Sequence, residues 1–155
     1  VISYNAGISA CAEGEQWQDA LLLLSEMRDT KLVPTTRSYN GAISACAQLG
    51  VWEQALSVFR GLREARLEPD VISYNSVLSA CSTDAQWLQA LSLLSELWEV
   101  ELEPTFISYN TGISACEKSG QWLQALALLS EMREMRLEAT TISYNAGISA
   151  CEKGG

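Results

Sequence analysis

The stretch Ser73-Tyr74-Asn75-Ser76-Val77-Leu78-Ser79-Ala80-Cys81 opens on Ser-Tyr-Asn and closes on Leu-Ser-Ala-Cys, and the chain returns to this frame again and again. Ser-Tyr-Asn begins at Ser3, Ser38, Ser73, Ser108 and Ser143, a constant step of 35 residues. Ile/Leu-Ser-Ala-Cys follows each copy and ends at Cys11, Cys46, Cys81, Cys116 and Cys151, while Trp17, Trp52, Trp87 and Trp122 keep the same step. A fixed period of this length marks an array in which each unit buries its apolar face against its neighbours. Four complete repeats run over 1–35, 36–70, 71–105 and 106–140, and a partial fifth covers 141–155. The chain starts at Val1 and stops inside a repeat, which reads as a segment of a longer array whose targeting sequence is not in view.

Composition narrows the function classes. Hydrophobic residues make up 48% of the chain, but no apolar run reaches membrane length, so a soluble protein with no membrane partner is expected. The net charge of −9 argues against a general polyanion-binding surface, because sequence-independent phosphate affinity comes from Lys and Arg. The five Cys occupy equivalent points in stacked units, separated by about 10 Å per helix layer. A disulfide needs Cα atoms within roughly 7 Å, so buried structural thiols are expected. There is no His, no Cys-x-x-Cys and no local ligand cluster, so no metal or other cofactor is expected.

Within the first repeat, Tyr4, Gly7, Ile8 and Cys11 fall at i, i+3, i+4 and i+7, the spacing of one helical face, with Ala10 beside them. Gly14 or its neighbour is expected to end this helix, as are Gly50 and Gly120 later, since a left-handed cap costs Gly nothing. Asp84-Ala85 stands there in repeat three, where a different turn is expected. A second helix is predicted from near Glu15, with Trp17, Ala20, Leu21, Leu23, Leu24 and Met27 inward. Ala20, Ala55, Ala90 and Ala125 should let the paired helix come close. Pro34, Pro69 and Pro104 stop that helix, and Ala139 in their place is expected to soften the last junction. Arg28, Arg63 and Arg133, with Lys31, Arg66 and Arg136, are read as complements to the negative end of the helix dipole.

Once the packing face is assigned, Ile2, Asn5 and Ser9 fall on the adjoining face. Asn5, Asn40, Asn75, Asn110 and Asn145 form a ladder of amides, each with donors and an acceptor. Two readings stay open: hydrogen bonding to base edges, or capping and bridging of helix starts.

The 35-residue period, the two helices per repeat, the Tyr-Asn near the start, the mid-helix Ala, the Met at the end of the second helix and the closing Pro69-Asp70 resemble the pentatricopeptide repeat family over the whole chain. The resemblance implies an all-α, right-handed α-solenoid of helical hairpins that binds single-stranded RNA, one base per repeat. Carried over residue by residue, it implies the base-reading pairs Asn5 with Thr35, Asn40 with Asp70, Asn75 with Thr105 and Asn110 with Thr140, and Asn145 with no partner in the chain. Asn40 with Asp70 resembles the uracil-favouring pair; Asn with Thr departs from the common pairs and leans toward pyrimidines. Ile2, Ile72, Ile107 and Ile142, with Arg37 in repeat two, take the positions that stack against bases. Lys118 and Lys153 take the position near the RNA phosphates, which holds Glu13, Gln48 and Thr83 in the other repeats. Gly7, Gly112 and Gly147 stand where a Leu is usual, at a helix-propensity cost of roughly 1 kcal/mol each relative to Ala.

The resulting expectation is a non-enzymatic, sequence-selective RNA-binding array serving RNA processing, stabilisation or editing in a plastid or mitochondrion, with no small-molecule substrate. The competing reading is a protein-interaction scaffold, favoured by the acidic balance and the sparse Lys. Catalysis has no support in the residues, which offer no His, no phosphate-cradling Gly loop and no carboxylate pair outside the period.

Overall fold

The computed structural model describes residues 2–154. Among them it holds helices and turns and no strand: α1 Ile2–Glu13, α2 Trp17–Asp29, α3 Thr36–Gln48, α4 Trp52–Glu64, α5 Val71–Thr83, α6 Trp87–Glu99, α7 Phe106–Lys118, α8 Trp122–Glu134 and α9 Thr141–Gly154. Odd-numbered helices are the first helix of a repeat and even-numbered ones the second, so the fold is an all-α solenoid of helix-turn-helix repeats. Val1–Ala80 and Cys81–Gly155 are two compact units. In the first, α1 packs on α2 and α3, and α3 packs on α4; in the second, α7 packs on α6, α8 and α9.

The packing faces follow the periodicity. Tyr39, Ala42, Ile43, Ala45 and Cys46 of α3 are buried, as are Tyr74, Val77, Leu78, Ala80 and Cys81 of α5. In the second helices Ala20, Ala55, Ala90 and Ala125 are wholly buried, as are Met27, Leu62, Leu97 and Met132 two turns further along the same face of each helix. The glycines read above as a propensity cost have a packing role. A Cβ on Gly112 would stand 2.6 Å from Leu94 Cδ1 and 3.3 Å from Leu128 Cδ1, so Gly112 admits leucines from both α6 and α8. Burial of those leucine methyls offsets the propensity cost.

Turn chemistry corrects three expectations. The first helices of the four complete repeats are each followed by a left-handed residue: Glu15 (φ 57°), Gly50 (67°), Ala85 (56°) and Gly120 (68°). Repeat three therefore makes the same turn as the others through Ala85, despite its Cβ. The backbone N–H three residues past the helix reaches back six-to-one, as in Gln16 N to Cys11 O at 2.8 Å and Gln86 N to Cys81 O at 2.8 Å, which satisfies an end carbonyl. Ser119 holds the Ala85 turn from the next repeat by donating to its carbonyl at 2.7 Å. Because Glu15 is left-handed, the second helix starts at Trp17 and not near Glu15.

Lys31, Arg66, Glu101 and Arg136 are likewise left-handed, with φ between 56° and 58°. They stand just past the second helices and not in their last turn. Leu67 N to Leu62 O at 3.2 Å and Leu137 N to Met132 O at 2.9 Å close the same six-to-one motif. At the last junction, where Ala139 replaces the Pro, α9 begins at Thr141, the equivalent of Val71 in α5. No helix among the described residues is long and apolar enough to cross a membrane.

Candidate nucleic-acid interface

The last residue of each repeat caps the first helix of the next. Thr35 is extended (φ −108°, ψ 167°) and caps α3, and Thr105 caps α7 in the same way. Three residues on stands the Ser of Ser-Tyr-Asn, wholly or almost wholly buried at Ser38, Ser73, Ser108 and Ser143. Its hydroxyl accepts from the cap's backbone N–H, with Thr35 N to Ser38 Oγ at 3.1 Å, Asp70 N to Ser73 Oγ at 3.1 Å, Thr105 N to Ser108 Oγ at 3.0 Å and Thr140 N to Ser143 Oγ at 2.9 Å. This is a capping box in which Ser takes the place of the usual Glu or Gln.

The same hydroxyl donates backwards to the Asn of the preceding repeat. Ser38 donates to Asn5 Oδ1 at 2.7 Å, Ser73 to Asn40 Oδ1 at 2.6 Å, and Ser143 to Asn110 Oδ1. One buried Ser thus brings an Asn and a cap residue together, although they are 30 residues apart in the chain. In repeat two the two also meet directly: Asn40 Nδ2 donates to Asp70 Oδ1 at 3.1 Å. Asn5 with Thr35 and Asn110 with Thr140 each converge on one Ser. Asn75 is half-buried on α5, Thr105 caps α7, and Asn145 is exposed on α9. The bridging of helix starts left open above is therefore present, and it occupies the carbonyls of Asn5, Asn40 and Asn110.

Asp70 carries the strongest electrostatics of the group. Partial burial pushes its carboxyl up, but the Ser73 N–H at 2.8 Å, the Ser73 hydroxyl at 2.9 Å and the Asn40 amide outweigh it and hold the carboxyl below its ordinary value. All three bonds fall on Oδ1. Oδ2 takes none of them and stays available as an acceptor.

The apolar residues one turn before the Asn stand in solvent. Ile2 is 88% exposed, and Ile72, Ile107 and Ile142 are 64, 49 and 72% exposed; Arg37 is exposed beside them on α3. Lys118 is exposed at the end of α7. Lys153 is committed to an ion pair: its Nζ stands 3.0 Å from Glu117 Oε1, which also accepts from Ser149 Oγ at 2.7 Å. Burial pushes Glu117 up, and Ser149, Lys153 and Lys118 together bring its pKa below the ordinary value.

Two features escape a reading by helical face. The first is the buried Ser, whose signal is the return of Ser-Tyr-Asn in every copy, with Ser38, Ser73, Ser108 and Ser143 each the third residue of a helix. The second is the tie between second and first helices, where Arg28 Nη2 donates to Tyr39 OH and Arg63 Nη2 to Tyr74 OH, both at 2.6 Å. These arginines stand in the last turn of their own helices and also reach across to the next repeat. The thiols are core groups: burial pushes Cys46, Cys81 and Cys116 up to about 11.

The sequence profile of the PPR repeat family matches residues 34–83 and 104–153. Profiles for the pentatricopeptide repeat domain and the PPR repeat match 1–49 and 72–101. Among curated proteins no sequence match is found. The fold is similar to the crystal structure of PPR10 in complex with an 18-nt psaJ RNA element, with a TM-score of 0.83 and 25% identity, over 97% of this chain and 22% of that one. It is also similar to the PPR domain of Arabidopsis thaliana protein-only RNase P 1 in complex with tRNA, with a TM-score of 0.82 and 13% identity, over 96% of this chain and 82% of that domain. The crystal structure of PPR10 from maize is a looser match, with a TM-score of 0.58 and 16% identity, over 99% of this chain and 27% of that one. The chain thus spans about a fifth of the length of PPR10.

Proposed function

The chain belongs to the pentatricopeptide repeat family, and on that premise we propose that it binds single-stranded RNA, one base per repeat, with a pyrimidine preference that sharpens to uracil at repeat two. The observation that carries this reading is the Asn40–Asp70 contact at 3.1 Å on a shared buried Ser73. With its carbonyl held by Ser73, the Asn40 amide is a donor, suited to a base carbonyl oxygen. Asp70 Oδ2 is an acceptor, suited to the imide N–H of uracil; cytosine offers a lone pair at that ring nitrogen and is repelled. Thr35, Thr105 and Thr140 carry hydroxyls that donate or accept, so those repeats distinguish the two pyrimidines less. Ile2, Ile72, Ile107 and Ile142, and the guanidinium of Arg37, would cover base faces, a contact that every base can make. Lys118 would face phosphate. Lys153, shared with Glu117, would contribute less.

Fluorescence anisotropy with short oligouridine and oligocytidine at low and moderate salt tests the proposal. Oligouridine should bind more tightly, with a shallow salt slope set by few cations. Asn40→Ala and Asp70→Ala should each weaken oligouridine binding by roughly tenfold, the worth of one hydrogen bond to a base edge. Absence of binding at low salt, or indifference to both substitutions, refutes it. A setting in plastid or mitochondrial RNA processing belongs to the same proposal, and import of the full-length protein into isolated organelles checks it.

A further inference from the structure

Both lysines that follow the Asn ladder along its helices come directly after a glutamate. Glu117-Lys118 ends α7 and Glu152-Lys153 lies in the last turn of α9, whereas the same two places hold Ala12-Glu13, Ala47-Gln48 and Ser82-Thr83 in the first three repeats. Ala12, Ala47 and Ser82 are buried. Wherever a Lys enters this face, a carboxylate therefore takes the place of a small buried residue beside it.

The carboxylate of Glu117 is held in position. Glu117 stands seven residues after Asn110, on the same helix face. Its Oε1 accepts from Ser149 Oγ at 2.7 Å and from Lys153 Nζ at 3.0 Å, both on the first helix of the following repeat. Ser149 and Lys153 stand four and eight residues after Asn145, so these groups share the face on which the Asn amides stand. Lys153 is half exposed, with 52% of its side chain in solvent against 22% for Glu117, so the pair is open to a competing anion. An exposed pair of this kind is individually weak and can be displaced. An anion that displaces it still meets the repulsion of the carboxylate left behind.

We propose that Glu117 is a built-in competitor for RNA phosphate at Lys153, positioned by Ser149, which weakens the backbone grip of this repeat and leaves recognition to the base-facing residues. The proposal rests on the RNA-binding reading above and deepens it. Phosphate contacts add affinity without sequence information, so restraining them raises the share of binding that depends on the bases. The gain in selectivity comes at the expense of strength, and neutralising one acidic residue should restore the strength.

The test is anisotropy with oligouridine over a salt series, using the whole chain and its variants. Glu117→Gln keeps an amide oxygen for Ser149 and frees Lys153. It should tighten binding roughly fivefold at low salt, the worth of one exposed ion contact. It should also steepen the fall of log K with log salt by about 0.7, the increment for one more phosphate neutralised on a single strand. Lys153→Ala should change the affinity of the unaltered chain by less than about twofold, yet erase the gain in the Glu117→Gln background. Glu134→Gln makes the same change of charge at an exposed residue ending α8 and should do neither. No gain from Glu117→Gln, an equal gain from Glu134→Gln, or a gain that survives the loss of Lys153 overturns the proposal and leaves RNA binding standing. Absence of oligouridine binding by both the unaltered chain and Glu117→Gln overturns the RNA reading, and this proposal with it.

Discussion

Replacing Ser73 by Ala removes one oxygen that holds three groups. Ser73 is wholly buried, accepts from Asp70 N at 3.1 Å, and donates toward Asn40 Oδ1 at 2.6 Å and Asp70 Oδ1 at 2.9 Å. The Ser73 backbone N–H still bonds Asp70 Oδ1 at 2.8 Å in the variant, so half of the cap survives. Lost are the reciprocal half of the capping box, worth about 1 kcal/mol, and the partner of a half-buried Asn carbonyl, at about 1 to 2 kcal/mol. Destabilisation of about 2 to 3 kcal/mol is expected, which for a chain of this size lowers the melting temperature by roughly 4 to 10 °C. Ser9→Ala, on an exposed residue of the same helix face as Asn5, is the control and should stay within about 0.5 kcal/mol. Calorimetry or urea unfolding followed by tryptophan fluorescence reads both, compared by midpoint because repeat arrays can depart from two-state unfolding. In the double variant Asn40→Ala/Ser73→Ala the loss should be smaller than the sum of the singles, since both remove the same bond. A Ser73→Ala variant as stable as Ser9→Ala, or strict additivity in the double variant, would refute the account of Ser73 as the joint between neighbouring repeats.

Other perturbations separate the remaining claims. Ala85 is left-handed at φ 56°, a conformation that costs a residue with a Cβ about 1 to 2 kcal/mol; Ala85→Gly, after the entropy that Gly adds to the unfolded chain, should stabilise by about 0.5 to 1 kcal/mol, whereas Ala90→Gly in the middle of α6 should destabilise. Asp70 is held below the ordinary carboxylate value, so it adds stability above about pH 4 that is lost as pH falls through its folded value. Asp70→Asn keeps a side chain that can cap but removes the charge, so it should lower stability at neutral pH and flatten the acid limb by the same amount. Cys46, Cys81 and Cys116, with thiols at about 11, should resist a thiol reagent at pH 8 until the chain unfolds, while half-buried Cys11 and Cys151 react first.

Helical spacing was enough to recover what depends on one helix at a time. Tyr39, Ile43 and Cys46 are buried where an i, i+4, i+7 stripe puts them, and Ile2 and Ile72 are exposed where the other stripe puts them. Spacing fails where the deciding partner lies in another repeat. Nothing local to Asn40 shows that its carbonyl belongs to Ser73, 33 residues on, or that Arg63 will bond Tyr74 across a turn. The left-handed residues form a middle case. Glu15 and Ala85 have no side-chain signal for that backbone, but Gly50 and Gly120 do, and the period carries the turn from one repeat to the next. A repeat array can therefore be read through its most explicit copy, and the atypical residue in an atypical copy marks a place where packing overrides preference.

That logic also bears on how recognition is built. If each Asn were oriented only within its own helix, the repeats would act as independent readers. Here the orientation of Asn5 depends on the helix start of repeat two, and that of Asn40 on the helix start of repeat three. Asn5, Asn40 and Asn110 are each held by the repeat that follows, and under the proposed RNA reading the residue paired with each is the cap of that repeat's first helix. Asn145, with no following Ser among the described residues, is exposed. A defect at one cap should accordingly be felt one repeat upstream: Thr35→Ala, which leaves Asn5 unaltered, should loosen selectivity at repeat one while leaving the preference for uracil at repeat two intact. Comparing binding of RNAs that differ only at the base opposite repeat one measures this, and selectivity lost at repeat two instead would mean that the coupling runs the other way along the array.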